Sequence, residues 1–151
     1  MHDPKFLKDR LSWVFERRGS EGQFTRLFDD LGPADKDALA AAVHIGVDEL
    51  PVLGSFEADD RWLLLTTERI VWSVGGERHQ LYNSEISDAI VDFHAMLEHG
   101  TEKSDVNELE IETLGGERHV IVVEPGPPMV GLWNVLKNLG QRARAQNDRK
   151  V

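Results

Sequence analysis

The stretch RWLLLTTERIVWSVGGERH (Arg61–His79) contains two compact apolar runs, Trp62–Thr67 and Arg69–Val74, each of strand length. A Gly-Gly pair separates the second run from a third strand-like run, Arg78–Tyr82. The type I′ turn of a tight hairpin requires a positive φ at both central residues, which glycine adopts without a side-chain clash. The stretch therefore predicts three consecutive antiparallel strands in the middle of the chain.

Further strand-like runs lie on both sides of this stretch. They are Pro51–Glu57, Ile86–Phe93, Leu109–Leu114 and His119–Val123, with a polar connection over His94–Val106. Together with the first three runs, they predict seven short antiparallel strands.

Helical signals occupy the first third of the chain. Asp3 can cap a helix whose first turn holds Pro4, and Gly19 is a stop signal. Two shorter segments with helical character follow, Phe24–Leu31 and Asp37–Ile45. We expect residues 1–46 to form an N-terminal helical subdomain of two or three short helices.

A closing helix is predicted after the segment EPGPP (Glu124–Pro128), which ends the last strand-like run. Apolar residues then repeat at helical spacing; they are Met129, Leu132, Trp133, Leu136 and Leu139. We expect residues 47–146 to form the strand-rich domain with this helix, and residues 147–151 to form a polar tail.

The pentapeptide GGERH occurs twice, at Gly75–His79 and Gly115–His119. Cross-strand partners share one face of a sheet, so two-residue loops would fix the orientation of both copies. His79 is then predicted to face the core, whereas His119 faces outward and Arg118 lies at the core-side rim. Opposite orientations favour shared turn chemistry over a repeated functional motif, although a three-residue loop with a bulge would reverse the parity.

The order of seven short strands and one amphipathic helix resembles that of a pleckstrin-homology-like barrel. The stretch Arg61–Val74 resembles the second and third strands of bacterial pleckstrin-homology domains. In those strands a threonine and a basic residue separate an apolar strand from one that carries an aromatic residue. The matching positions here are Thr66 or Thr67, Arg69 and Trp72.

The segment GLWNVLKNL (Gly131–Leu139) resembles the closing helix of that family. Trp133 stands in the place of the aromatic residue that plugs one end of the barrel. The resemblance covers Glu49 to about Gln146. It implies an α+β fold, in which a seven-stranded antiparallel barrel is closed by a C-terminal helix and preceded by two or three short helices.

The resemblance also implies a partner-binding rim, because the loops after strands one, three and six of this family lie together at the open end. Here those loops are Ala58–Arg61 and the two GGERH turns. The candidate rim residues are Arg61, Arg78, His79, Arg118 and His119. Phosphoinositide-binding members carry a basic cluster on the first hairpin, where this chain has Asp59 and Asp60. We therefore expect protein partners rather than phosphoinositides.

Charge and composition exclude several classes of function. The chain has 27 acidic against 17 basic residues and a formal net charge of −10, which argues against broad binding of nucleic acid. It has no cysteine, which excludes disulfides and cysteine nucleophiles. No apolar run is long enough to span a membrane, and the first residues lack an apolar signal region. We expect a cytoplasmic protein without integral membrane contact.

The sequence shows no catalytic or cofactor-binding motif. His94 and His99 are five residues apart, which is not the one-turn spacing of two helical metal ligands. The chain contains no GxSxG elbow and no glycine-rich phosphate loop that opens a helix. The alternating residues Glu108, Glu110 and Glu112 are typical of a solvated strand face. We therefore expect no cofactor, no metal and no enzymatic activity.

Three functions remain open. The first is a non-catalytic protein-binding or assembly module, in which self-association is one form of assembly. The second is an acidic inhibitor or immunity-type protein that masks a basic partner such as a nuclease, with the glutamate face as its contact. The third is an enzyme or small-ligand carrier that uses the open end of the barrel.

Overall fold

The computed structural model describes residues 3–92, 98, 100 and 106–149. The helices are α1 (Pro4–Arg18), α2 (Pro33–Ala42) and α3 (Pro127–Arg149). The strands are β1 (Thr25–Leu27), β2 (Pro51–Ala58), β3 (Arg61–Thr66), β4 (Arg69–Val74), β5 (Glu77–Tyr82), β6 (Ile86–Ile90), β7 (Glu108–Thr113) and β8 (Arg118–Val122). Single turns of 3₁₀ helix lie at Phe28–Asp30 and Asn83–Glu85.

The eight strands form two separate antiparallel sheets. The larger sheet has the order β1-β2-β3-β4-β5 and the smaller one the order β6-β7-β8. The expected seven-stranded barrel, closed by a helix and preceded by short helices, is therefore wrong. The described residues contain eight strands, three α-helices and no closed barrel.

Strand β1 is the element that the sequence did not indicate. Phe24, Leu27, Phe28 and Leu31 have helical spacing, yet residues 25–27 pair with the edge of β2. The carboxylate of Glu124 accepts hydrogen bonds from the backbone N–H groups of residues 23, 24 and 25. These partners hold the segment extended, so backbone pairing to distant residues prevails over the local apolar spacing.

The larger sheet carries apolar side chains on both faces, which explains the unbroken apolar run of β3. Leu63 and Leu65 belong to the main core with the smaller sheet, α1 and α3. Trp62 and Leu64 belong to a second cluster, which α2 covers with Leu39. The molecule is therefore layered, with α2 outside the larger sheet and the main core inside it.

The terminal helices pack against each other and against the sheets. Asp3 caps α1 as expected, since its Oδ1 accepts a hydrogen bond from the backbone N–H of Lys5. Leu11 and Phe15 of α1 are fully buried in the main core.

The closing helix is confirmed at Pro127–Arg149. Trp133, however, is only half-buried and donates its indole N–H to the carbonyl oxygen of Ala89 at 2.8 Å. Its expected role as a barrel plug therefore fails together with the barrel.

Candidate binding site

Two arginines of the expected partner-binding rim contact neighbouring segments of the same chain. Nε of Arg61 lies 2.8 Å from Oε2 of Glu57 in an ion pair at the surface. Nη1 of Arg78 donates a hydrogen bond to the carbonyl oxygen of Ala42, at 2.6 Å. These contacts connect adjacent segments, and a role of the two side chains in partner binding stays a prediction.

The first GGERH hairpin has the expected geometry. Trp72 opposes His79, and both turn glycines have positive φ, 60° at Gly75 and 82° at Gly76. The imidazole of His79 stacks on the indole of Trp72 with a centroid distance of 5.4 Å. His79 therefore takes the core-side orientation that the two-residue loop predicts.

The second GGERH hairpin has a different loop, and the expected orientation of its side chains is wrong. The backbone N–H of Thr113 donates to the carbonyl oxygen of Glu117 at 2.9 Å, which leaves a three-residue loop between them. His119 therefore opposes the buried Ile111 and faces the core instead of the solvent. One additional loop residue reverses the parity of the returning strand, because side chains alternate along it.

Arg118 takes the outward orientation that had been expected for His119. Its guanidinium lies 3.4 Å from a carboxylate oxygen of Glu110 and 3.3 Å from one of Glu112. It therefore compensates part of the negative charge on the outer face of β7.

The two GGERH copies meet at Trp72. The ring of His119 approaches this indole edge-on, with a centroid distance of 6.2 Å, on the same tryptophan that His79 stacks against. Nε2 of His119 is buried, makes no hydrogen bond within the described part of the chain and lies 3.5 Å from a carboxylate oxygen of Glu117. The structure thus brings together both rim histidines, which come from hairpins 40 residues apart in the sequence.

No set of three potential metal ligands comes together in the described ranges. The rings of Trp72, His79 and His119 form a packed aromatic group, in which each imidazole has a glutamate nearby. His94 and His99 lie outside the described residues.

Away from the two GGERH hairpins, a concave surface lies between the two terminal helices and the end of the larger sheet. Its volume is about 930 Å³, within the range of small-molecule ligand sites. Its apolar lining includes Leu7 of α1 and Leu139 and Ala143 of α3. Half-exposed Tyr82 also lines it, and Val47, beside the lining residue Asp48, is fully exposed.

Carboxylates dominate the charge around this surface, which we call the acidic groove. Asp3, Asp48 and Glu68 line it and are exposed, whereas Arg142 is the cation among the described lining residues. Arg142 donates from Nε to Oδ1 of Asn138, one helical turn earlier. The groove therefore offers apolar contact together with a net negative charge.

One wall of the acidic groove holds a buried amide. Asn83 donates from Nδ2 to the carbonyl oxygen of Thr66 at 3.0 Å, while its Oδ1 is buried without a hydrogen-bond partner in the described residues. A buried acceptor without a partner is costly, so a bound partner that donates a hydrogen bond to Oδ1 of Asn83 is favoured at this wall.

A buried ion pair supports the same wall from behind. Glu49 is 3% exposed, and Arg69 donates to it from Nε at 2.8 Å and from Nη2 at 3.1 Å. Burial alone would raise the pKa of Glu49, but hydrogen bonds from Arg69, the Gly46 N–H and the Thr66 hydroxyl outweigh it and hold this pKa below its usual value. The turn that carries Thr67 and Glu68 is thereby fixed to the loop before β2.

Sequence reasoning missed the acidic groove. Its lining comes from the start of α1, the second half of α3, the loop before β2, the β3–β4 turn and the 3₁₀ turn after β5. No spacing within any one of these segments indicates that they converge. The only available signals were Tyr82 and the acidic residues of the loops, which are common at ordinary surfaces.

None of the described helices has the length and apolar character that a membrane span requires. Neither a scan against protein-family models nor a search of curated proteins found a match to this chain.

Proposed function

We propose that this chain is a non-catalytic protein-binding module, whose acidic groove holds a basic amphipathic segment of a partner protein. The observation that carries the proposal is the combination of an apolar lining with exposed carboxylates in one groove of about 930 Å³. An amphipathic helix binds a groove of this kind through its apolar face, while its polar face meets the rim.

The charges favour a basic occupant. Asp3, Asp48 and Glu68 outnumber Arg142 at the groove, and the whole chain carries a net charge of −10. Opposite charge accelerates encounter and suppresses partners of the same sign. Lysine or arginine side chains can also reach the exposed face of Tyr82, where a cation–π contact contributes about 0.5–1 kcal/mol.

The described lining combines the apolar side chains of Leu7, Leu139 and Ala143 with the carboxylates of Asp3, Asp48 and Glu68. Apolar contact and carboxylates suffice to hold a peptide.

A second candidate function is the masking of a basic partner by the outer face of β7. Glu108, Glu110 and Glu112 lie on this face, next to half-exposed Val120 of β8. Arg118 pairs with two of the three glutamates, which weakens the field of this face relative to that of the acidic groove.

The test uses two fluorescent amphipathic helical peptides of equal length and identical leucine positions. One carries lysine on its polar face and the other glutamate. We expect saturable, salt-sensitive binding of the lysine peptide alone, measured by fluorescence anisotropy. The variant Asp48→Lys/Glu68→Lys should bind it at least about tenfold more weakly, which corresponds to about 1.4 kcal/mol.

The matched control is Glu108→Lys/Glu112→Lys, which changes the net charge by the same amount on the β7 face. Its affinity should stay close to that of the wild type, and circular dichroism should show that both variants are folded. If the β7 variant loses binding and the groove variant keeps it, the masking function replaces the groove proposal. Equal loss in both variants, or equal binding of the two peptides, would overturn the groove as a specific site.

A further inference from the structure

The solvent face of α1 carries a seven-residue repeat of three residue types. Two aromatic residues, Phe6 and Trp13, are 59% and 52% exposed. An exposed arginine follows each of them by four residues, and an exposed acidic residue precedes each arginine. The arginines are Arg10 and Arg17, and the acidic residues are Asp9 and Glu16. We call these six residues the α1 stripe.

The α1 stripe has no covering element among the described residues. The other face of α1 buries Leu11, Val14 and Phe15 in the main core. The guanidinium carbon of Arg10 lies 4.8 Å from the ring centroid of Trp13, and that of Arg17 lies 6.0 Å from it, yet half of the indole remains exposed.

The repeat places the positive and the negative side chains on opposite sides of the line formed by the two aromatic residues. With 3.6 residues per turn, Phe6 and Trp13 lie within about 20° of each other around the helix axis. The arginines lie about 30–50° to one side of this aromatic line, and the acidic residues about 50–70° to the other. The stripe is therefore apolar in the middle, positive on one flank and negative on the other.

We propose that a second copy of this chain binds the α1 stripe, with the two α1 helices parallel around a two-fold axis. In a parallel two-fold pair, the positive flank of each helix faces the negative flank of the other. Each aromatic residue then meets its own counterpart. An antiparallel pair would place arginine against arginine and carboxylate against carboxylate, which is unfavourable.

The mixed charge of the stripe distinguishes this occupant from an anionic surface. Phe6, Trp13 and the two arginines alone would suit an anionic membrane. Asp9 and Glu16 lie on the same face and would be repelled by it, whereas a second copy supplies arginines to both. This interface does not depend on the acidic groove, since it uses other residues of α1.

A helix of 15 residues is about 22 Å long and offers only a narrow contact, so the dimer is expected to be weak. We expect a dissociation constant on the order of 10 μM or weaker. Sedimentation equilibrium over a concentration series should therefore show a monomer–dimer equilibrium of the wild type. A wild type that stays monomeric up to about millimolar concentration would overturn the proposal.

The absence of cysteine from the chain makes cross-linking a direct test of the parallel arrangement. Phe6→Cys should form a disulfide-linked dimer on mild oxidation, because position 6 meets itself. Lys5→Cys is the control, since position 5 points about 90° away from the aromatic line. In an antiparallel pair, position 6 would meet position 13, about 10 Å along the helix. Cross-linking only in a mixture of Phe6→Cys and Trp13→Cys would therefore overturn the parallel pair.

Charge reversal tests the pairing of the flanks. Arg10→Glu/Arg17→Glu makes both flanks negative, and Asp9→Lys/Glu16→Lys makes both positive, so each variant alone should be monomeric. An equimolar mixture of the two should dimerise. The control Arg144→Glu/Arg149→Glu has the same net charge as the first variant and should dimerise like the wild type. Dimerisation of each stripe variant alone, or binding of wild-type monomers to anionic vesicles through Arg10 and Arg17, would contradict the proposal.

Discussion

At the scale of the residue, burial decides what an ion pair contributes. The Glu49–Arg69 and Glu57–Arg61 pairs have the same N–O distance of 2.8 Å. The side chain of Glu49 is 2% exposed and that of Arg69 16%, whereas Arg61 is 46% exposed. Removal of one partner leaves a buried charge uncompensated in the first pair, but a solvated one in the second.

We predict that Glu49→Gln lowers the free energy of unfolding by about 3 kcal/mol, the lower end of the range for a broken buried pair. The matched control Glu57→Gln should lower it by no more than about 1 kcal/mol. Urea denaturation followed by circular dichroism measures both values. Equal losses in the two variants would mean that burial does not distinguish these pairs.

At the scale of the element, two hairpins with the same five-residue sequence differ by one residue in the length of their loops. Both glycines of the first turn have positive φ. In the second hairpin Gly116 has a φ of 87°, whereas Gly115 is outside the left-handed region and has room for a Cβ. The same Gly-Gly pair therefore serves a two-residue loop in one hairpin and part of a three-residue loop in the other.

We predict that Gly116→Ala destabilises the protein by about 1–2 kcal/mol, because an L-residue resists positive φ. Gly115→Ala should be within about 0.5 kcal/mol of the wild type, as expected for an exposed position without strain. Thermal unfolding of the two single variants compares them in an identical background. A two-residue type I′ loop would require both glycines, so a similar loss at Gly115 would contradict the observed loop.

At the scale of the whole molecule, Glu124 joins the first part of the chain to the last. Its carboxylate accepts hydrogen bonds from the backbone N–H groups of Gln23, Phe24 and Thr25, at 2.7, 3.0 and 2.8 Å. Burial alone would raise the pKa of Glu124. These three hydrogen bonds lower it by more than burial raises it, so the pKa lies below its usual value. A carboxylate with a depressed pKa stabilises the fold above its unfolded pKa, and the contribution is lost as the pH falls through the folded pKa.

We predict that Glu124→Gln lowers the free energy of unfolding at pH 7 by about 2–3 kcal/mol, since hydrogen bonds to a charged acceptor are lost. The difference from the wild type should shrink as the pH falls below about 4, near the pKa of an unfolded glutamate. Urea denaturation at pH 7 and at a pH below about 4 measures this effect, with the variant Glu108→Gln at an exposed position as the control. A difference that does not depend on pH would show that the negative charge is not what holds the N-terminal segment.

The sequence by itself determined most of the local structure. Each of the seven runs of alternating or apolar residues contains a strand, and capping residues placed the start and end of α1. The run Ile86–Phe93 is a strand only as far as Ile90, and its Phe93 lies outside the described residues. These features depend on side-chain periodicity and backbone preference, which are local properties of the chain. The charge of the chain and the absence of cysteine also follow from the sequence alone.

Tertiary structure decided the features that depend on distant partners. Residues 25–27 became a strand because β2 and Glu124 bind their backbone, and His119 faces Trp72 because the second loop has three residues. The acidic groove exists because five separate segments converge. Hydrogen bonds and contacts across 47 or 100 residues leave no periodic trace in the sequence, since each partner alone is compatible with several local structures.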